Sequence, residues 1–495
     1  HDAYGLLDRD ECPFVQYAER AHREQAPEFA LPDGSDLTFW YREGPTPLVP
    51  VRAMNLVFGD ARVTVADPPP TEPGMTSVML DTRGRLVGLQ IVPRLFETVA
   101  APAAPVDWSP LFLQAGLDAS KLRPAEPCTT PRVYADTRSA WLGPHPDDET
   151  PTVRVEAAAY GGRPVSFAVL SDRPADEKYS WLADIIRRRA FVDGTRAVLL
   201  TLLVLVSLPL ARINVRQGRS DSRGAFRLAV FVLAVRAIVW SLRAAHGPDL
   251  GVEYGLIRFG LVGALSEAAV AGLFYLAMEP LVRRFWPQTL ISWSRVLAGR
   301  LRDPLVGSHV LLGAVLGAFW VLLIQLDLII TNVLGLVPRQ TLRPDDFFDA
   351  VLGARQACAF CLSGLQSAVY DSLFILLLLV VLRVVLRRTL VANIVGVLLV
   401  IPLFVPRGSH AAVSLFVVGL GGVGVAMYVL TRFGLVPIVT ALFVSIVLLR
   451  FPLTLSMRAW YADYSLFAVL LATGVAVLGF LAACRTRPMA QWNLS

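Results

Sequence analysis

The spacing of hydrophobic positions in this chain changes close to residue 196. Before that point, apolar residues alternate with polar ones in short groups between proline-rich stretches; after it, they form long runs. A helix that crosses a bilayer needs about 20 apolar residues. The runs that approach this length are 196–213, 225–246, 256–282, 307–331, 355–386, 389–406, 411–430, 433–450 and 464–484. The pattern predicts an α-helical polytopic membrane domain over 196–488 with about nine spans.

The sixth, seventh and eighth runs are shorter than the others. Prolines interrupt them at Pro402, Pro406, Pro437 and Pro452. Proline is tolerated in a spanning helix when neighbouring groups satisfy the freed backbone. One span more or fewer is therefore compatible with the pattern.

The polar half before residue 196 shows a helix, then strands, then a hairpin, and this order occurs twice at a spacing of roughly 80 residues. It predicts an α+β soluble domain of two units, 1–100 and 101–180, each an antiparallel sheet packed by one helix. A juxtamembrane segment, 181–195, and a tail, 489–495, complete the division. The predicted helices are 10–25 and 108–122, with Ser109 as cap of the second; the predicted strands are 37–42, 132–135 and 139–141, and the hairpins 78–92 and 153–170.

Composition supports a membrane protein and argues against a nucleic-acid partner. Charged residues make up 17% of the chain, against about 25% in soluble proteins. The net charge is +6, and Lys121 and Lys178 are the only lysines. In the second half the arginines lie at the ends of apolar runs and do not form one basic face, which is a topology signal.

Arginine-rich loops alternate with neutral ones, which predicts the orientation of the chain in a bacterial inner membrane. The first, third and fifth loops (212–227, 283–302 and 383–388) are rich in arginine and should be cytoplasmic. Residues 1–195 should then be extracytoplasmic and the C-terminus cytoplasmic. No signal peptide follows His1, so we expect a spanning segment upstream of this chain.

The third loop combines arginines with apolar residues at helical spacing, which predicts an amphipathic helix on the cytoplasmic membrane surface. Its aromatic side chains suit the headgroup level and its arginines suit anionic lipid phosphates. The alternative is a loop packed against the helical bundle. The candidate lipid-facing residues are Arg283, Arg284, Trp286, Trp293, Arg295, Arg300 and Arg302.

Ionisable residues inside predicted spans are costly and often functional. Arg236 and Glu267 could pair between the second and third spans, while Asp327 with Gln325, and Asp371 with Gln366, could line a polar cavity. A transporter or lipid-handling protein would use such a path; a structural role for these pairs is the alternative. The candidate intramembrane polar residues are Arg236, Glu267, Glu279, Asp327 and Asp371, with Arg258 as a further member.

Sequence motifs for catalysis or cofactor binding are not found. The chain has no Gly-x-Ser-x-Gly, no His-Glu-x-x-His and no phosphate-binding loop. Cys358 and Cys361 form a Cys-x-x-Cys inside an apolar run with no histidine nearby, which favours packing over a metal site. Cys12 and Cys128 could pair if the first half is extracytoplasmic. We therefore expect no cofactor and no catalysis by this chain.

Two stretches resemble the region that follows the kinase domain in certain bacterial membrane serine/threonine protein kinases. The second stretch is long and more specific than the first. The first comprises Phe39-Trp40-Tyr41-Arg42, Pro47-Leu48-Val49-Pro50, Gly74-Met75 and Leu80-Asp81-Thr82-Arg83-Gly84-Arg85-Leu86-Val87; the second comprises Glu279-Pro280-Leu281-Val282-Arg283-Arg284-Phe285-Trp286-Pro287, Thr289-Leu290-Ile291-Ser292-Trp293-Ser294-Arg295 and Gly299-Arg300-Leu301-Arg302-Asp303-Pro304-Leu305-Val306-Gly307.

The resemblance implies that a cytoplasmic kinase domain and one spanning helix precede this region. It also implies a membrane-anchoring, sensory role for this chain, because the Gly-rich loop, the strand lysine, His-Arg-Asp and Asp-Phe-Gly of kinases are missing here. An extracytoplasmic ligand and a homodimer are compatible with such a module.

Overall fold

A computed structural model gives the structure of the chain as two compact units. The first takes in His1–Asp184, Trp240–Leu261 and Leu342–Ala357, and the second takes in Ile185–Val239, Val262–Thr341 and Cys358–Ser495. The predicted helix over 10–25 and Cys12 lie outside the described residues. The structure describes residues 2–8, 37–48, 63–65, 67–81, 83–94, 105–145, 148–171, 175–244, 250–333, 349–404, 415–458 and 461–484.

The first unit contains one antiparallel sheet of eight strands. Their spatial order is β1-β2-β3-β4-β8-β7-β6-β5, so two four-stranded meanders join where β4 pairs with β8. The prediction of two separate sheets is therefore not confirmed. The strands are β1 (Asp2–Asp8), β2 (Leu37–Glu43), β3 (Thr76–Asp81), β4 (Leu86–Ile91), β5 (Arg123–Ala125), β6 (Thr137–His145), β7 (Asp148–Tyr160) and β8 (Arg163–Ser171).

Both predicted hairpins are confirmed, as β3–β4 and β7–β8. In the first turn the Asp81 carboxylate accepts from the backbone N–H of Arg83 (2.9 Å) and Arg85 (2.8 Å). In the second turn Gly161 and Gly162 have φ of 59° and 78°. Two consecutive positive φ values match a tight two-residue hairpin turn, which glycine adopts at little cost.

The helix predicted over 108–122 is shorter than expected. Helix α1 covers Ser109–Gln114, and after a break only Ala119–Lys121 is helical, as a 3₁₀ turn. Gly116 with φ of 69° ends α1. At the start of α1 the carboxylate of Asp107 accepts from the backbone N–H of Ser109 (3.0 Å), so Ser109 is not the cap. The strand predicted over 132–135 is not formed, whereas 139–141 lies inside β6.

Helix α1 covers one face of the sheet. Trp108 and Phe112 pack against Trp141 of β6, with ring centroids 5.9 and 4.9 Å apart. Val155 of β7 and Phe167 of β8 complete this core at 0% exposure. The aromatic residues supply most of the apolar area that a single short helix can bury.

Cys128 lies beside the buried carboxylate of Glu156 on β7. Its thiol and its backbone N–H both donate to Glu156 Oε1, at 3.2 and 3.1 Å. Partial burial and then the Glu156 carboxylate raise the pKa of the Cys128 thiol above its ordinary value. The thiolate form is therefore disfavoured near neutral pH.

The opposite face of the sheet holds a buried arginine. Arg42 on β2 is 1% exposed, and its guanidinium donates to the carbonyl oxygens of Thr64 (2.8 Å) and Pro68 (2.5 Å). Burial lowers the pKa of Arg42, and the Asp67 carboxylate opposes this shift. Arg42 therefore holds Thr64 and Pro68 over the sheet, next to Trp40 and Met79 of the second core.

The second unit, which we call the helical unit, consists mainly of apolar helices, whereas the first is called the sheet unit. Helical residues within 175–184, 240–261 and 342–357 belong to the sheet unit. Six of the helices described are long and apolar enough, by length and composition, to cross a membrane: Gly194–Arg216, Ser222–Arg243, Glu253–Phe285, Pro304–Asp327, Ala354–Leu386 and Ala462–Ala483. The helices are α2 (Ala175–Arg216), α3 (Ser222–Arg243), α4 (Leu250–Phe285), α5 (Ile291–Leu297), α6 (Pro304–Val333), α7 (Ala354–Leu386), α8 (Thr389–Phe404), α9 (Gly424–Arg432), α10 (Leu435–Arg450) and α11 (Ala462–Ala483). A short 3₁₀ turn covers Pro287–Leu290, and another, Asp349–Val351, belongs to the first unit. The chain is a multi-pass membrane protein.

The predicted count of nine spans is not confirmed. The sixth and eighth runs form α8 and α10, each of 16 residues, which is about 24 Å of helix against a hydrocarbon core of about 30 Å. The seventh run forms a π-helix, Leu415–Val423, that continues into α9. Of the prolines noted in the sequence, Pro437 lies in the first turn of α10 and Pro452 follows its last residue by two.

Helix α6 packs closely against two later helices through glycine. A Cβ atom on Gly317 would lie 2.6 Å from the carbonyl oxygen of Ala441 on α10, and Gly313 meets Pro437 one turn away. Gly307 meets Ala482 and Ala483 of α11 in the same manner. Gly313 and Gly317 form the small-xxx-small pattern that lets membrane helices approach backbone to backbone.

Candidate functional site at the arginine-rich end of the helical unit

The arginine-rich loops meet at one end of the helical unit, which we call the arginine-rich end (residues 212–227 and 275–303). Arg227 donates to Leu297 O (3.2 Å) and joins the first loop to the third. Arg383 lies over the ring of Phe285, 5.0 Å from its centroid, and brings the fifth loop to the same place. The first, third and fifth loops therefore lie at the same end of the helical unit, as their alternation with neutral loops predicts.

Proline in α4 creates the first polar contact of this site. Pro280 has no N–H, so Leu276 O loses its normal helical donor. The side-chain amide of Asn214, near the end of α2, donates to Leu276 O and to Ala277 O, both at 3.0 Å. Asn214 is 8% exposed. A side chain from a neighbouring helix thus satisfies the backbone that proline leaves open.

A buried carboxylate lies one turn along α4. Glu279 is 2% exposed, pairs with Arg283 on the same helix, and accepts from the backbone N–H of Asp221 (3.2 Å). Asp221 in turn accepts from Gly224 N (2.8 Å) at the start of α3. Glu279 therefore ties the α2–α3 turn to α4. The sequence indicates Glu279 and Arg283 through their i, i+4 spacing, but nothing local indicates Asn214 or Asp221.

The third loop packs its aromatic side chains against the helical bundle. Trp286 and Trp293, expected at the headgroup level, are 7% and 4% exposed and belong to the main core. The prediction of lipid-facing tryptophans is wrong, and the packed loop that stood as the alternative is the observed form. The apolar face of α5 contacts protein because α6 and α10 provide an apolar surface beside it.

The arginines of this loop divide into paired and exposed groups. Arg295 pairs with Asp303 (2.5 Å), whose carboxylate also accepts from Leu305 N (3.0 Å) at the start of α6. His309 Nδ1 lies 2.9 Å from the hydroxyl oxygen of Ser292 and ties α6 to α5. The exposed arginines of this loop are Arg283, which also pairs with Glu279, and Arg284, Arg300 and Arg302.

A second polar network crosses the bundle nearer the other end of the spans. Arg236 of α3 lies 3.4 Å from the carboxylate of Glu267 on α4, which confirms the predicted pair. Gln366 of α7 donates to the same carboxylate. Asp371 does not share a site with Gln366 but pairs with Arg196 of α2 (2.6 Å).

Asp327 and Gln325 do not lie on the same side of helix α6 in the described part of the chain. Asp327 is 0% exposed whereas Gln325 on the same helix is exposed, so the two do not share one lining. Within the described residues there is no group of three or more His, Cys, Asp or Glu that could hold a metal ion. Cys358 and Cys361 carry free thiols on α7.

Pairing of Asn214 with the Pro280 region can be tested by a double-mutant cycle. Replacing Asn214 by leucine leaves the Leu276 carbonyl without a donor and should destabilise the helical unit by about 1–2 kcal/mol. In a Pro280→Ala background the restored N–H supplies that donor, so the same Asn214→Leu change should cost clearly less. The free energy of unfolding in mixed micelles, measured with and without Asn214→Leu in each background, gives the coupling energy between residues 214 and 280. Equal costs of Asn214→Leu in the two backgrounds would show that Asn214 does not replace the missing N–H of Pro280.

Comparison of the chain with family models, with curated proteins and with solved structures finds no match. The function must therefore be inferred from the residues of this chain.

Proposed function

We propose that this chain is the membrane-anchoring and sensory module of a bacterial serine/threonine protein kinase, and that it carries no catalysis itself. The sequence resemblance over 39–87 and 279–307 supports the kinase connection. In this proposal residues 1–195 are extracytoplasmic and the arginine-rich end is cytoplasmic, in line with the distribution of arginine.

The observation that carries the proposal is the way helix α2 is held. This helix begins at Ala175, four residues after β8 ends, and continues unbroken to Arg216. Arg196 pairs with Asp371 of α7 (2.6 Å), and Asn214 donates to the backbone of α4 (3.0 Å). These contacts are 18 residues apart, or about 27 Å along the helix. One helix thus connects the sheet to polar contacts at both ends of a span.

Such a helix is suited to carry a signal. A change in the sheet would shift α2, and the shift would strain or break the Arg196–Asp371 and Asn214 contacts. The Asn214 contact lies on α4 only a few residues from Glu279, which holds the α2–α3 turn. A ligand can move this equilibrium only if it binds the two states with different affinity.

Exposed arginines give the cytoplasmic face a second role as an anchor. Arg284, Arg300 and Arg302 are exposed, and each basic residue near an anionic bilayer contributes about 1 kcal/mol of attraction. We propose anionic lipid headgroups as their partners.

The kinase connection is tested on the native gene product in its own membranes. We expect ATP-dependent phosphorylation on serine or threonine, and a change of about fivefold or more when Asp371→Asn weakens the contact with Arg196. Thr201→Ala on α2 is the matched control, because that hydroxyl donates to Ala197 O of its own helix (2.8 Å). A native gene product that shows no such phosphorylation would refute the kinase connection.

A transporter or lipid-handling protein is the second candidate. The ion pairs Arg236–Glu267 and Arg196–Asp371 lie within apolar helices, where charged residues often mark a substrate path. Flux through reconstituted vesicles that falls on replacing Asp327 or Asp371 by alanine would favour this candidate.

A further inference from the structure

The sheet unit contains a cavity of about 290 Å³ where its two four-stranded meanders meet. Its floor is formed by β3 and β4, and one wall comes from Val65 and Pro69–Thr71. Pockets for small ligands start at about 300 Å³, so this cavity has the size for a small molecule. It lies beside the joint at which β4 pairs with β8 over Gly88–Gln90 alone.

Strand register explains why the floor is open. Ser77 of β3 faces Gln90 of β4, and Met79 faces Gly88. Cross-strand partners share a face of the sheet. Because Gly88 has no side chain, the floor is recessed between Met79 and the polar pair Ser77–Gln90.

Gln90 is the polar group that distinguishes this cavity from a packing gap. It is 7% exposed, and among the described residues its side-chain nitrogen Nε2 has no hydrogen-bond partner. A buried donor without a partner costs about 1–3 kcal/mol, so such groups call for an explanation. A bound acceptor would provide one.

The charges of the lining residues indicate which class of hydrogen-bond acceptor the cavity would bind. Arg132, which precedes β6, lines the cavity, is exposed and adds a positive charge to the lining. None of the lining residues described is acidic, and Val65 and Met79 add apolar surface. Arginine and amide donors together suit a carboxylate, while the apolar surface suits a short hydrocarbon body.

Arg42 holds the wall of the cavity in place through backbone carbonyl groups. Arg42 donates to Thr64 O and Pro68 O, at either side of Val65 and just before Pro69 and Pro70. The wall is therefore fixed in the unliganded protein, which reduces the cost of ordering the site on binding.

We infer that this cavity binds a small carboxylate with a short apolar body, through the Gln90 amide, the Ser77 hydroxyl and the Arg132 guanidinium. The inference rests on the proposed sensory function and names the chemical class of its signal. Binding at the joint of the two meanders would bias their relative position, and β8 leads directly to helix α2.

The test uses the full chain in nanodiscs, with hexanoate, propionate and phenylacetate as probes and hexanol and hexylamine as uncharged and cationic counterparts. Hydrogen exchange of peptides from β3 and β4 reports binding. We expect protection by at least one carboxylate at millimolar concentration and none by hexanol or hexylamine. Arg132→Gln and Gln90→Leu should each weaken carboxylate binding by about tenfold, while Arg138→Gln, on the exposed side of β6, should not.

Two results would overturn the inference: no protection by any of the three acids, or equal affinity of the wild type and Arg132→Gln. Arg132 is exposed, so its replacement should not prevent folding, and the comparison of acid with alcohol needs no variant. Carboxylate binding without any change in phosphorylation would instead refute the proposed kinase function and leave the binding site standing. Phosphorylation that depends on residues 1–171 without carboxylate binding would refute the binding site and leave the proposed kinase function standing.

Discussion

Replacing Arg42 by methionine is expected to destabilise the sheet unit by about 3–5 kcal/mol. The guanidinium is 1% exposed and supplies donors to Thr64 O and Pro68 O. Methionine fills similar volume but removes the guanidinium donors to these carbonyls and the positive charge that Arg42 places near the buried carboxylate of Asp67, which is 5% exposed. Removal of one partner from a buried charged group costs more than the pair contributes, because the other charge stays out of water.

Hydrogen exchange in the full chain measures this effect without assuming a single unfolding transition for two units. Amides of β2 and β3 should lose protection by roughly 10² to 5 × 10³-fold, the equivalent of that free energy. Arg138→Met is the matched control, since Arg138 is exposed on β6 and surface changes usually stay within about 0.5 kcal/mol. Equal protection in the two variants would show that Arg42 does not hold Thr64 and Pro68 in place.

Replacing Gly317 by valine is expected to destabilise the helical unit by about 3 kcal/mol. Even the first atom of a side chain would lie 2.6 Å from Ala441 O and 2.9 Å from the Cβ of Val444. Backbone cannot rotate out of the way as a flexible side chain can, so α6 and α10 must move apart. The separation would also disturb the contact of Gly313 with Pro437 one turn away.

Gly474→Val provides the control on a helix of similar composition. Gly474 lies inside α11, and a Cβ atom there would meet nothing within 4 Å. Valine at that position should leave the stability nearly unchanged or raise it slightly, because glycine is a poor helix former. Apparent free energies of unfolding in mixed micelles with increasing detergent denaturant compare the two. If both variants lose the same amount, the close approach of α6 and α10 is not what stabilises this pair.

Hydrophobic periodicity predicted the parts of the fold that depend on local sequence. The spans longer than 20 residues and the hairpins at Gly84 and Gly161–Gly162 follow from run length, alternation and turn residues. The joining of β4 to β8, in contrast, depends on three residue pairs between strands about 80 residues apart. Spacing within either strand carries no information on that pairing.

The candidate site was predictable only where both partners carry charge inside apolar runs. Arg236 and Glu267 could be paired on that basis, and they do lie together. Asn214 is polar but close to a span end, and its partners are backbone carbonyls, so no pattern of side chains predicts its contacts. Trp286 and Trp293 were misplaced because an apolar helix face has the same sequence pattern whether lipid or protein covers it.

The glycine faces of α6 set an order for assembly during synthesis. Helix α6 enters the membrane early, but α10, which covers Gly313 and Gly317, begins about 120 residues after Gly317, and α11, which covers Gly307, begins later still. At about 5–20 residues per second, a ribosome needs roughly 6–24 s to reach α10. During that interval α6 has lipid or another protein in place of its partners. The nascent chain is therefore most open to misassembly, and to a membrane chaperone, while its last third is still being made.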